Sequence, residues 1–268
     1  MRSIRGSSSM VVLATLTIAA SIATGFVLGQ HHPYLRITTH GEWVKYANAG
    51  GDSVRAYVAY PERKDKAPAI IVVHEIFGMT GWEPTVADKF AGEGYVAIAP
   101  DLLSSQYKST DSVGTRATRL VSGLADSAVV ADLDATYRYV NGLVATRKDD
   151  IGIIGFCWGG GTAWKYAAAN PRLKAAVPCY GPVSDTAILR TIKAPVFAVD
   201  AEGDARVTGM LPGITAAMQG NHKDFTSHVY SGVGHGFLKP GRTGSNSAAA
   251  DSARADIDAF LAKHLKVQ

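Results

Sequence analysis

From about residue 38 onward the chain alternates short apolar runs with longer stretches of helical periodicity. Residues 54–60 alternate apolar and polar positions, as a partly exposed strand does. Residues 69–73 are continuously apolar, the mark of a strand buried on both faces. Residues 84–93 predict a helix, with Pro84 in its first turn and Val86, Ala87 and Phe90 on one face. A second buried strand is expected over 95–99, stopped by Pro100. Residues 129–143 form a long amphipathic pattern. Residues 151–156 read as a strand running into glycines, and 160–169 as a helix ended by Asn170 and Pro171. Further strands are expected over 175–179, 196–201 and 226–230, with a closing helix over 249–265. The stretch 104–126, rich in Ser, Thr and Gly, is expected to be the loosest part of the body and to cap a site. Strand and helix alternating in this way mean an α/β fold: a mostly parallel, doubly wound sheet with helices on both faces.

The first thirty residues are of another kind. Residues 1–9 hold Arg2, Arg5, three consecutive serines and no acid, and 10–23 are apolar or small throughout. Ser21 and Ala23 supply small residues where a signal peptidase reads, so residues 1–30 have the layout of a secretory signal peptide. The apolar stretch continues through Phe26, Val27 and Leu28, so 10–28 is also just long enough for an uncleaved membrane anchor. Both readings place the folded part outside the cytosol. It would be periplasmic or secreted after cleavage near Ala23, and otherwise attached to a membrane through 10–28. Residues 31–268 are expected to form a single domain, with no repeat or interdomain linker.

Composition narrows the function. Of 268 residues, 47% are hydrophobic and 19% charged, which suits one sizeable core and excludes a disordered chain or a heptad rod. Two cysteines exclude a disulfide-stapled mini-scaffold and a four-cysteine zinc site. The net charge of +4 comes from scattered Lys and Arg, without the basic run of a nucleic-acid footprint.

The chemistry gathers at strand ends. Gly155-Phe156-Cys157-Trp158-Gly159-Gly160 follows a buried strand and opens a helix. This is the context of a nucleophile elbow, with Cys157 in the place usually held by serine. The helix behind it presents unpaired N–H groups and a positive dipole end, which favour thiolate. A nucleophilic cysteine needs a base, and the base an orienting acid. Asp204 and His235 follow in the expected chain order, each just after a predicted strand, with Asp200 and Glu202 as rivals for the acid. His74-Glu75 closes the strand over 69–73. Glu75 reads either as a second acid–base group or as an exposed loop carboxylate. The backbone N–H groups of Ile76 and Trp158 are candidates for an oxyanion hole. Cys179 ends the strand after the Cys157 helix, and reads as a packed small hydrophobe or as a disulfide partner of Cys157.

Taken together, His74-Glu75-Ile76-Phe77-Gly78, the cysteine elbow, Glu202-Gly203-Asp204 and Gly234-His235-Gly236-Phe237 resemble the dienelactone hydrolase (carboxymethylenebutenolidase) family, from about Val54 to the C-terminus. The resemblance implies an α/β-hydrolase fold, a triad of Cys157, Asp204 and His235, and a Glu75 that helps ionise Cys157 when substrate arrives. It implies no cofactor, no metal and no protein partner. In the family this Glu waits in an ion pair with an arginine whose place here is taken by Lys239. A second family arginine, which helps hold the substrate carboxylate, follows the Pro-Asp-Leu run, where Pro100-Asp101-Leu102-Leu103 leads here to Ser104 and Ser105. Phe77 and Lys239 become the substrate-binding candidates.

The expected function is hydrolysis of a small ester or lactone through a thioester acyl-enzyme. Two alternatives come from other classes. One is a non-catalytic, membrane-tethered binding member of the fold; the other is a thiol redox protein, which the absence of C-x-x-C disfavours. An esterase or thioesterase with a different substrate is the variant within the hydrolase class.

Overall fold

The computed structural model describes residues 39–265 apart from Ser184. The expected export segment, 1–30, lies outside the described residues. Among the described residues no helix is long and apolar enough to cross a membrane.

Eight strands form one sheet: β1 (His40–Ala47), β2 (Ser53–Tyr60), β3 (Ala67–Val73), β4 (Val96–Asp101), β5 (Thr146–Phe156), β6 (Ala175–Cys179), β7 (Val196–Ala201) and β8 (Phe225–Tyr230). Their order is β1-β2-β4-β3-β5-β6-β7-β8. The β1–β2 and β2–β4 pairs are antiparallel, and every pair from β4 across to β8 is parallel. Helices cover both faces. α1 (Trp82–Gly92) and the closing helix α9 (Ala248–Leu265) lie on one; α5 (Asp126–Gly142), α6 (Trp158–Ala169) and α8 (Leu211–Gly220) lie on the other.

The continuous apolar runs follow from this layering. In β3, Ile71 and Val73 face Leu133, Tyr137 and Trp164, while Ile70 and Val72 face Ala87, Phe90 and Leu261. Successive side chains point to opposite faces, so a strand covered on both sides has no polar positions to spare.

Two expectations change. Pro100 does not end its strand; it pairs with Ala56 inside β4. The paired positions between β4 and β3 reach only Ile98, so the N–H that proline lacks is not needed for that ladder. The stretch 104–126 is not loose. It holds α2 (Ser104–Tyr107), α3 (Thr110–Val113) and α4 (Ala117–Ser122), pinned by buried acids. Asp101 accepts from Leu103 N, Thr110 N and Thr110 Oγ1, and Asp132 accepts from Ser105 Oγ at 2.6 Å. Leu103, Val113, Ala117 and Val121 pack there against Ile76 and Trp158. Two elements have no clear counterpart in the hydrophobic pattern. β1 is a largely exposed edge strand, and α8 carries Pro212, Gly213 and Gly220, residues of poor helix propensity.

Candidate active site

The site is built where strands end. β5 runs into Cys157, which stands before α6 with φ 56° and ψ −114°, a conformation costly for any residue with a side chain. Cys157 N donates to Cys179 O at 3.0 Å, and Cys157 O accepts from Gly161 N at 3.1 Å, so the strain is held from both sides. The surrounding glycines are a steric requirement. A Cβ on Gly155 would lie 2.0 Å from Gly159 O, and one on Gly159 would lie 2.4 Å from His74 O. The turn therefore closes tightly enough to lift the half-buried Cys157 side chain above the sheet.

Two further strand ends supply its neighbours. Asp204, after β7, is buried and precedes α7 (Ala205–Thr208), whose Val207 and Thr208 N–H groups both bond its carbonyl. His235, in the loop after β8, bonds through Nδ1 to Asp204 Oδ2. Its imidazole is pushed above the ordinary histidine range, first by its hydrogen bond with the Cys157 side chain and then by Asp204, against the opposing effect of burial. The rival acids are used elsewhere. Glu202 accepts from Gly232 N, while Asp200 is buried in β7 with its carboxyl pushed up to about 7, mainly by burial and then by the Asp204 charge.

Glu75 is no exposed loop carboxylate. It is 1% exposed, and its Oε2 lies 2.9 Å from Lys239 Nζ. That ammonium sits over two rings, 5.4 Å from the Phe77 centroid and 5.0 Å from that of Trp82. Phe77 itself is 38% exposed at the rim. The N–H groups of Ile76 and Trp158 have no acceptor among the described residues. The second is at the N-terminus of α6, where unpaired donors are inherent to the helix.

Three residues outside the sequence-based set belong to this neighbourhood. His74 is wholly buried: its Nε2 accepts from Leu102 N at 3.3 Å and its Nδ1 meets Glu75 O at 2.7 Å. That pattern puts the proton on Nδ1. Its ring stacks on Trp158 at 5.4 Å, so one neutral imidazole ties the Glu75 loop to the end of β4 and the start of α6. Tyr180 directly follows β6; it is fully buried, at φ 40°, edge-on to His235 at 5.1 Å, and its hydroxyl has no hydrogen-bond partner among the described residues. Arg242 also lies against the Phe77 ring, with its guanidinium 5.4 Å from the centroid. A histidine next to a candidate acid was a signal available in sequence; for Tyr180 and Arg242 there was none.

Both cysteines are free thiols. Cys179 is buried, and burial holds its thiol well above the ordinary range, so the packed reading of this residue is the one realised. Among the described residues, no three His, Cys, Asp or Glu side chains converge as a metal ion would require.

The profile of the dienelactone hydrolase family matches residues 54–265. The chain belongs to that family. A Salmonella typhi protein named "Putative carboxymethylenebutenolidase" is 36% identical over 217 residues, 75% of this chain and 79% of that protein. A Bradyrhizobium protein named "Probable 2-oxo-3-(5-oxofuran-2-ylidene)propanoate lactonase" is 31% identical over 236 residues, 84% of this chain and 94% of that one. Among solved structures, a Klebsiella pneumoniae protein described as a "Putative Dienelactone Hydrolase" superposes with a TM-score of 0.76 at 27% identity, covering 84% of this chain and 99% of that chain. This dienelactone hydrolase family member is accordingly a hydrolase with the α/β-hydrolase fold.

Proposed function

We propose that the protein cleaves a small ester or lactone by acyl transfer through Cys157. The observation that carries this reading is the side-chain relay from Cys157 to His235 to Asp204, set on three separate strand ends of one parallel sheet. The relatives named as a carboxymethylenebutenolidase and as a lactonase support the substrate class.

In this mechanism His235 takes the Cys157 proton, and Asp204 stabilises the imidazolium and fixes its orientation. The thiolate attacks the carbonyl carbon, and the oxyanion is received by the free N–H groups of Ile76 and Trp158. Collapse of the tetrahedral species breaks the C–O bond, and the leaving alkoxide or enolate takes the proton from His235. Water then gives a proton to His235 and attacks the thioester. Cys157 leaves as thiolate, recovers its proton from His235, and the acid product departs. Glu75, held by Lys239 beside the elbow, is the second carboxylate that assists thiol ionisation once substrate disturbs the pair.

The test is turnover of p-nitrophenyl acetate and of a dienelactone by the full chain, in reduced buffer. Wild type should be active, Cys157→Ala inactive, and Asp204→Asn slowed by about 10³-fold or more. Folded, reduced wild type inactive on both compounds would overturn the reading in favour of a binding role.

A further inference from the structure

The two N–H groups assigned above to the oxyanion, those of Ile76 and Trp158, each belong to a peptide whose carbonyl is gripped. The Trp158 N–H shares its peptide with the Cys157 carbonyl, which accepts from Gly161 N at 3.1 Å. That is an ordinary helix bond, the first of α6. The Ile76 N–H shares its peptide with the Glu75 carbonyl, at a point where β3 has ended and α1 has not begun. A side chain supplies the grip there instead. His74 Nδ1–H donates to Glu75 O at 2.7 Å, joined by Gly78 N at 3.1 Å.

A peptide group is planar and trans, so its N–H points opposite to its C=O. Fixing the Glu75 carbonyl therefore fixes the direction of the Ile76 N–H. Donation to the carbonyl also polarises the peptide, which makes its N–H the stronger donor.

The ring that does this is itself held on several sides. His74 is wholly buried. Leu102 N, just past the end of β4, donates to its Nε2 at 3.3 Å, which leaves Nδ1 as the protonated nitrogen. The ring stacks on Trp158, with centroids 5.4 Å and planes 11° apart. The side chains of Ile76 and Trp158 both pack against Leu103, Val113, Ala117 and Val121. The imidazole thus has one place and one tautomer. Donors stabilise a developing oxyanion most when they are aimed before it forms.

We propose that His74 is the positioning residue of the Ile76 oxyanion donor: by holding the Glu75 carbonyl, its Nδ1–H does for Ile76 what the first bond of α6 does for Trp158. The assignment rests on the hydrolytic reading above.

The test uses two amide side chains that each copy one half of the imidazole. His74→Asn carries an N–H donor at the place of Nδ1 and keeps the bond to Glu75 O. His74→Gln reaches the place of Nε2 and keeps an acceptor for Leu102 N, but loses the bond to Glu75 O. Both lose the ring stack, so a merely structural role would penalise them alike. His74→Gln should lower kcat on p-nitrophenyl acetate about tenfold or more with little change in KM, because acylation and deacylation both pass through the oxyanion. His74→Asn should recover most of that loss. His74→Phe, which keeps a ring against Trp158 and lacks the donor, should behave as His74→Gln does, and replaces it if circular dichroism shows that the glutamine variant is unfolded. In parallel, the Ile76 amide proton resonance of the resting protein should move in His74→Gln and His74→Phe and stay near its wild-type position in His74→Asn. Equal kcat losses in His74→Asn and His74→Gln, or an Ile76 resonance that behaves alike in the two, would overturn the proposal and leave hydrolysis standing. Folded wild type without turnover would overturn the hydrolytic reading, and the Ile76 resonance would then still decide whether His74 aims this N–H.

Discussion

Lys239 Nζ sits 2.9 Å from Oε2 of Glu75, a carboxylate held almost wholly out of water between the end of β3 and the loop after β8. Removing one member of a buried pair leaves the other uncompensated, which costs more than the pair itself contributes. Lys239→Met is therefore expected to destabilise the fold by about 3 kcal/mol. The double variant Glu75→Gln/Lys239→Met should recover much of that loss, since no lone charge remains. Urea denaturation of the two single variants and the double one measures the coupling. Equal losses in Lys239→Met and the double variant would show that the pair carries no such energy.

The backbone of Cys157 is strained for the sake of the side chain it presents. At φ 56° and ψ −114°, a residue without Cβ is at ease and one with Cβ is not. Cys157→Gly should therefore be more stable than Cys157→Ala by about 1 kcal/mol, although both lack the thiol. Comparing these two variants by thermal unfolding isolates the backbone contribution. A glycine variant less stable than the alanine variant would refute the strain.

The Tyr180 hydroxyl is buried without a hydrogen-bond partner among the described residues. Leaving such a group unpaired costs free energy that its removal returns. Tyr180→Phe keeps the ring contacts with His235 and Phe237 and should raise stability by about 1 kcal/mol. A lower urea midpoint in the phenylalanine variant would mean that the hydroxyl is satisfied in solution.

Asp200 makes stability depend on pH with a definite sign. Its folded carboxyl is pushed up to about 7 from an ordinary 3.8, so the folded state holds a proton that the unfolded chain has released. Stability contributed by this group is full below about pH 4, declines through the window between the two values, and is lost above about pH 7. Asp200→Asn removes the titration. The variant should match wild type near pH 4 and exceed it at pH 8, by up to about 4 kcal/mol. Denaturation midpoints at the two pH values decide this, and a gain equal at both would assign the effect to packing alone.

The legible parts of the sequence were those where one local signal sufficed. The runs 69–73, 175–179 and 196–201 needed only apolar continuity, and their observed bounds agree to within two residues. Cys157, Asp204 and His235 were legible as candidates because each follows a strand signal, and His235 bonds Asp204 in the folded chain. Pro100 misled because proline's cost depends on whether a neighbour needs its N–H, a property of the sheet and not of the residue. The stretch 104–126 looked loose because Ser, Thr and Gly disfavour regular structure, yet Asp101 and Asp132 reach in and order it. β1 escaped notice because an edge strand need not be apolar.

The chain's own order of residues determined the layered α/β fold, the cysteine turn with its required glycines, and the succession of Cys157, Asp204 and His235 at strand ends. Those are local or periodic facts, and periodicity and chirality leave few ways to assemble them. Only the tertiary structure decided which acid meets His235, that Glu75 is buried and held by Lys239, and that Arg242 lies against Phe77. Each of those is a distance between residues far apart in the chain. Burial and pairing, which determine what a charged group can do, exist only once such residues have been brought together.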